Sequence, residues 1–493
     1  MPRCILVALA CAAAWPAYPQ TSPEDQARGL LEDGRSYMGK KQYKQALDNF
    51  NTIVTGFAQT ESVDDALLEI GRYHLEVESD VEKARVAFDQ VAKRYAQSDG
   101  APGAYYYLGV LTLNRALQPE ELNDALAQFT RVQRLYPRSV WVARALFASG
   151  LAHRKAGRYA EAVEAERRVS LEHPTSDVAP AAQFQIGHCL ALQGEPRAAM
   201  EEFQQVRNRF PDSPWAELAL NRTTALYRLH AAGRPVFALD PSFSLGAGDV
   251  LKGITAIAMT PERTLWLASN KVKSALPFAM DGSKGAGVTA EALRSLTLSA
   301  RNEIVVSART AVRIGPKDIK AFAAPTDKPG VVEPLERIES AVLTPLGHLL
   351  VADSKRKHVY KYDGVDFGFL GTFPDAKQRE VRRMVLDGEG AIVLLDMEAK
   401  TVQAYDEAGK TLRVVSARGS GYEIKKPVDI ALDPFRNLYL ADAELGVLVF
   451  SPSGQLLTTV AGAELRRAAA LTLDVDGSVI VYDDRAERLL RFK

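Results

Sequence analysis

Cysteine is nearly absent from this sequence. Three stand in 493 residues, and two of them, Cys4 and Cys11, fall in the first stretch, so beyond it only Cys189 remains. One thiol closes no internal disulfide, and any core must hold by packing alone. Histidine is scarce too, with 7 in the chain. From Val236 onward there are only His348 and His358, too few to build a histidine-rich metal centre. Neither sign of charge is in excess, with Lys+Arg and Asp+Glu at 61 each. An electrostatic partner must therefore be met by a local patch and not by net charge. Past the N-terminus no apolar run reaches the length of a membrane span, and no glycine-rich phosphate loop is present.

What is there begins with a processing signal. Arg3 provides a positive start, Ile5–Ala14 an apolar stretch, and the alanines up to Ala17 small residues for cleavage. This predicts a signal peptide over 1–20 and an exported chain. Ala8-Leu9-Ala10-Cys11 loosely resembles a lipid-attachment box, which would make Cys11 the anchored first residue.

From Pro23 to about Ala232 the apolar period is helical, and it repeats. Ala and Phe four residues apart recur as Ala46/Phe50, Ala84/Phe88, Ala125/Phe129 and Ala199/Phe203, with Ala162/Glu166 in the same place without the aromatic. A Gly precedes each: Gly34, Gly71, Gly109, Gly150 and Gly187. Each unit ends on a stop such as Tyr136-Pro137-Arg138-Ser139 or Phe210-Pro211-Asp212-Ser213, where Pro breaks one helix and Ser caps the next. Five helix hairpins follow, with Gly and Ala at the close approach of the two helices and Phe between neighbouring hairpins. Trp215–Leu229 is expected as an unpaired helix capping the stack. These residues resemble tetratricopeptide repeats, at a spacing of 37 to 41 residues. The Tyr/Phe-Pro-x-Ser ending resembles the branch found in outer-membrane-assembly lipoproteins and periplasmic coordinators. The resemblance implies an α-solenoid over 23–232, a groove that takes a protein partner, and a place in the periplasm or at the outer-membrane periphery. Tyr37, Tyr73 and Tyr105, Tyr106 and Tyr107 are the expected groove aromatics, because Tyr offers apolar area and a hydroxyl at low entropic cost.

From Val236 to Lys493 the period changes to two. Lys426–Gly462 holds four short apolar runs split by Asp433-Pro434, Asp442–Gly446 and Pro452-Ser453-Gly454, the pattern of one four-stranded antiparallel sheet. Aligning on it finds six such units, anchored at Ile257, Leu296, Ala341, Met384, Ile430 and Leu471, 39 to 46 residues apart. Twelve residues after the anchor comes Asp353, Asp396, Asp442 or Asp483, expected to accept backbone N–H bonds in a turn. This is the signature of a six-bladed β-propeller over 252–493. Pro427-Val428-Asp429-Ile430 with Asn437–Asp442, and Val351–Ser354, resemble NHL repeats. The last unit has runs for three strands, so a segment within 233–251, most naturally Phe243–Leu245, is predicted to pair with Arg488–Phe492 as the fourth.

Two kinds of site are legible. Basic residues precede every anchor: Lys252, Arg294, Arg337, Arg382 with Arg383, Lys425 with Lys426, and Arg466 with Arg467. Carried on six equivalent loops, they predict a positive face for an acidic glycan, a lipid headgroup or an acidic protein surface, with no nucleic acid expected of an exported chain. Glu339 and Asp429 open inner strands near the axis and together could hold Ca²⁺ only weakly. No third ligand, nucleophile or base lies in register with them. The sequence therefore predicts a scaffold without cofactor, metal or catalytic residues. The alternatives are a lactonase-like propeller hydrolase or lyase with the solenoid as targeting arm, and a glycan-sensing propeller.

Overall fold

The computed structural model describes residues 22–116, 119–231, 237–326, 328, 330–373, 380–416, 418–419, 421–460 and 464–493. The expected signal peptide, with Cys4 and Cys11, lies outside them, as does 233–236 of the expected linker.

Eleven α-helices are found among the described residues: α1 (Pro23–Gly39), α2 (Tyr43–Gly56), α3 (Ser62–Glu76), α4 (Val81–Arg94), α5 (Ala101–Arg115), α6 (Pro119–Leu135), α7 (Trp141–Lys155), α8 (Tyr159–Glu172), α9 (Ala179–Leu192), α10 (Pro196–Arg209) and α11 (Pro214–Leu226). They form five consecutive hairpins and a closing helix. Their starts are set chemically: Ser22 and Asp80 cap α1 and α4 by accepting the N–H of Asp25 and Lys83, and Pro occupies the first turn of α5, α9, α10 and α11. The repeated Phe packs within its own hairpin as well as toward the next, where Phe88 stacks on Tyr107. It lies over the Gly of its own hairpin, and a Cβ on Gly34, Gly71 or Gly109 would come within 2.4 Å of the ring of Phe50, Phe88 or Phe129. The reason is geometric, since an aromatic ring fits between two helices only where one of them has no side chain. Glu166 fills the same place against Gly150. It is buried, and burial holds its carboxyl well above the usual carboxylate range.

The strands form a six-bladed β-propeller. The inner strands are Ile254–Met259, Leu293–Leu298, Ile338–Leu343, Val381–Leu386, Pro427–Leu432 and Ala468–Leu473, one for each of blades 1 to 6. Blades 1 to 5 are four-stranded antiparallel sheets in sequence order, and blade 6 has three strands of its own. Its fourth position is taken by residues near Leu239, which bridges Phe492 antiparallel. Ala238 exchanges N–H···O bonds of 2.7 and 2.8 Å with Lys493, and the Asp240 N–H donates to the Arg491 carbonyl at 2.8 Å. The pairing residues are thus 238–240 and not Phe243–Leu245. Asp240-Pro241-Ser242 turns the chain, so Phe243 and Leu245 pack instead into the core shared by blades 1 and 6.

Each inner strand carries a one-residue register shift just after its first pair, the mark of a β-bulge. In blades 3, 5 and 6 the repeated Asp staples the blade to the segment entering it. Asp442 accepts the N–H of Glu444 and Leu445 with one oxygen and of Lys425 and Lys426 with the other, and Asp353 and Asp483 bond alike.

The chain divides into two compact units, 22–116 with 120–148, and 149–493 with 119. The second unit holds the end of α7, α8 to α11 and the propeller. Within it Phe435, from a turn of blade 5, is buried among Phe184, Phe203, Ala219 and Leu226 of α9 to α11. Nearby, Arg154 of α7 and His188 of α9 both bond Glu389 of blade 4, and Arg436 donates to the Tyr159 hydroxyl at 2.8 Å.

Candidate functional site

The bulges decide what the start of each inner strand presents around the propeller axis. A bulge adds one unpaired residue and turns its side chain and carbonyl out of the ladder. At Thr255 and Arg294 the freed carbonyls accept from one guanidinium, that of Arg383, at 2.7 and 2.6 Å. The Nε of the same group donates to Asp429 Oδ1 at 2.8 Å. Arg383 therefore ties blades 1, 2, 4 and 5 together across the axis, with only 3% of its side chain exposed. The expectation that it belongs to an open basic face is corrected. One residue of bulge sends Arg382 to the mouth and Arg383 inward.

The other expected residues divide into paired and free. Glu339, 2% exposed at its side chain, receives Arg337 at 3.0 Å and Arg382 at 2.7 Å. Burial, with Arg383 beside it, holds the Arg382 guanidinium below its ordinary value although Glu339 opposes the shift. Lys252 pairs with Asp249 at 2.7 Å and Arg467 with Asp484 at 2.5 Å. Lys425, Lys426 and Arg466 are exposed and have no ion-pair partner among the described residues. The Arg294 Nε is buried without a hydrogen bond. Around the axis four guanidiniums, Arg294, Arg337 and Arg382 toward the mouth and Arg383 within, stand against two carboxylates, Glu339 and Asp429. Both carboxylates are fully engaged, since Asp429 also accepts the N–H of Ile430 and Leu471. A weak Ca²⁺ site there, as the sequence allowed, would have to displace arginines already in ion-pair contact.

In the first unit the groove tyrosines separate. Consecutive positions on a helix point in three directions, and Tyr105, Tyr106 and Tyr107 do so. Tyr105 donates to the Ala92 carbonyl at 3.2 Å, and Tyr107 stacks on Phe88 at 4.9 Å. Tyr106 and Tyr107 meet Trp141 with ring centroids at 5.2 and 5.5 Å. The Arg144 guanidinium lies 5.1 Å from the Trp141 centroid. Burial pushes the Tyr107 hydroxyl up to about 12. Tyr37 packs half-buried against the hairpin core, and Tyr73 donates to Glu78 at 3.1 Å beside Tyr43. Neither joins the Tyr106–Tyr107–Trp141 cluster. Sequence reasoning missed Trp141 and Arg144, although one of only 4 Trp in the chain, opening a helix, was a usable signal. A ladder of ion pairs, Arg35–Glu69–Arg72–Glu76, runs over α1 and α3.

The tetratricopeptide repeat family model matches residues 65–98 and 181–213, the second and fifth hairpins. No curated protein matches the chain. Among solved structures, a streptogramin B lyase is similar at 11% identity, covering 52% of this chain and 97% of that one, with a TM-score of 0.39. A virginiamycin B lyase from Staphylococcus aureus is similar at 14% identity, covering 52% and 85%, TM-score 0.38. A gluconolactonase from Xanthomonas campestris is similar at 16% identity, covering 49% and 86%, TM-score 0.40. At such values the likenesses carry no argument about activity. Among the described residues no helix is long and apolar enough to cross a membrane. The chain thus joins tetratricopeptide hairpins to a six-bladed propeller, an arrangement that fits a protein-interaction scaffold.

Proposed function

We propose that this protein is an exported, non-enzymatic adaptor of the cell envelope, its propeller of the NHL type, holding a protein partner by the solenoid and an anionic partner by the arginine mouth. The observation that carries this reading is the pairing of Glu339 and Asp429. Arg337, Arg382 and Arg383 hold the two axial carboxylates in ion pairs, which uses up the groups a metal or an acid–base step would need. What is left over at the mouth is positive charge: Arg294 beside the axis, and Lys425, Lys426 and Arg466 on blades 5 and 6. Half-buried guanidiniums bind carboxylate, sulfate or phosphate groups more strongly than freely solvated ones, because competing water is excluded. The protein partner is assigned to the face bearing Tyr106, Tyr107 and Trp141, flat amphipathic rings of the sort that anchor interfaces.

Polygalacturonate, an acidic glycan, tests the mouth, with neutral dextran as control. Binding to the full-length protein should weaken steeply between low and moderate salt. Replacing Arg294 by Gln and Lys425, Lys426 and Arg466 by Ser should remove most of the binding and flatten the salt dependence, with the melting temperature unchanged. If this variant binds polygalacturonate and anionic vesicles as the parent does at low salt, the mouth is not a recognition surface.

A further inference from the structure

A cavity of about 490 Å³ lies at the other end of the inner strands, between α11 and the turns of blades 1, 2, 5 and 6. It belongs to neither surface above, and all its walls are in the second unit. The lining is largely apolar, with Leu218 from α11 facing Met259, Leu298 and Leu432 from the propeller. Its size falls within the range of roughly 300–1,000 Å³ typical of small-molecule sites.

Into this space α11 carries Arg222. The side chain forms no ion pair among the described residues, and its Nε is buried with no hydrogen bond. Burial pushes the guanidinium down to about 10. An arginine left in this state costs free energy unless something pairs with it. Asp433 opposes that shift only through space, with no ion-pair contact to the guanidinium among the described residues. Asp433 spends its oxygens on the N–H groups of Phe435 and Asn437 and on the Asn437 amide, at 2.9, 2.9 and 2.7 Å. Asp474 is held by Arg263 and Arg491 at 2.7 and 2.8 Å. Glu217 also lines the cavity but is exposed.

We propose that this cavity binds a small organic acid, a single carboxylate on an apolar body. The carboxylate takes the planar fork of Arg222 bidentately. The body lies against Leu218, Met259, Leu298 and Leu432. A single charge matches the one lining guanidinium left without an ion pair, since Arg263 is already taken by Asp474. A free acid and the carboxyl end of an apolar peptide share this chemistry.

Calorimetric titration of the full-length protein separates the cases, with octanoate, 1-octanol, and the peptide Gly-Ala-Leu-Leu with a free or an amidated carboxyl end as probes. One saturable octanoate site is expected, with octanol weaker by at least roughly tenfold because it brings no charge to the guanidinium. Arg222→Gln should lose the preference for octanoate over octanol without a lower melting temperature, since it removes a partly buried cation that has no ion-pair contact among the described residues. Binding of the free-carboxyl peptide but not of octanoate would assign the acid to a chain end, and the reverse to a free small acid. The proposal is overturned if octanoate and octanol bind alike, if several molecules bind without charge preference, or if neither acid saturates by about 10 mM, a strength below any specific pairing. Should Arg222→Gln fail to fold, the octanoate–octanol comparison on the unaltered protein decides by itself.

Discussion

At the scale of single residues, adjacent arginines have opposite roles. Arg382 and Arg383 form one basic pair in the sequence, yet Arg382 ends at a half-buried mouth and Arg383 braces the axis. Arg383→Met should remove the charge from a buried ion pair and leave Asp429 unpaired, which costs about 3–5 kcal/mol. Arg383→Lys should restore little, because one ammonium cannot reach Asp429 and two carbonyls set in a planar fork. Urea denaturation followed by strand circular dichroism measures both. A loss below about 1 kcal/mol, the level of an exposed pair, would sink the brace. Simultaneous replacement of Arg382, Arg383, Arg466 and Arg467 by Ser, harmless if all four were solvated, should accordingly destabilise the propeller.

Elements show the same dependence on context. The segment before blade 1 closes the propeller through 238–240, and the ion pair between Lys493 Nζ and Asp240 Oδ2 at 2.6 Å reinforces it. That pair, with the Ser242 hydroxyl, holds the Asp240 carboxyl down at about 2. Ala238→Pro deletes the N–H that bonds the Lys493 carbonyl and disturbs its return bond, a loss of about 2 kcal/mol. For a domain of this size that is roughly 4–8 °C in melting temperature. Phe243→Ser, which spares the pairing, should cost stability only through the core between blades 1 and 6. If differential scanning calorimetry finds Ala238→Pro within a degree of the parent, the closure is not made by these bonds. The need for a closing strand was legible from the count of apolar runs in blade 6. Its register was not, since both 238–240 and 243–245 read as short extended runs, and only the turn at Pro241 separates the strand from the core plug.

On the scale of the molecule, the second compact unit joins helices and strands through one core. The change of hydrophobic period near Ala232 reads as a domain boundary, yet Phe435 is buried among α9, α10 and α11, and Leu229 packs with Tyr439 and Val449 of blade 5. Phe435→Ala should cost about 3–5 kcal/mol by opening a cavity in that core. Helical and strand signals of this unit, followed by circular dichroism, should then melt apart, where in the parent they should melt together. Coincident melting in the variant would mean that the shared core does not couple them. A helical fragment ending at 232 would expose the same socket.

By itself the sequence determined the repeat count, the two fold classes and the residues at each repeat's fixed positions. These follow from periodicity, and periodicity is local: a Gly facing a Phe one helix later, or an Asp at a strand end, recurs because each unit solves the same packing problem. Tertiary structure alone decided which arginine of a pair is buried, which residues close the ring, that Trp141 joins Tyr106 and Tyr107, and that Arg222 faces a cavity. Each of these depends on a one-residue bulge or on residues far apart in the chain meeting at a distance of a few ångströms. No spacing along a single repeat records either.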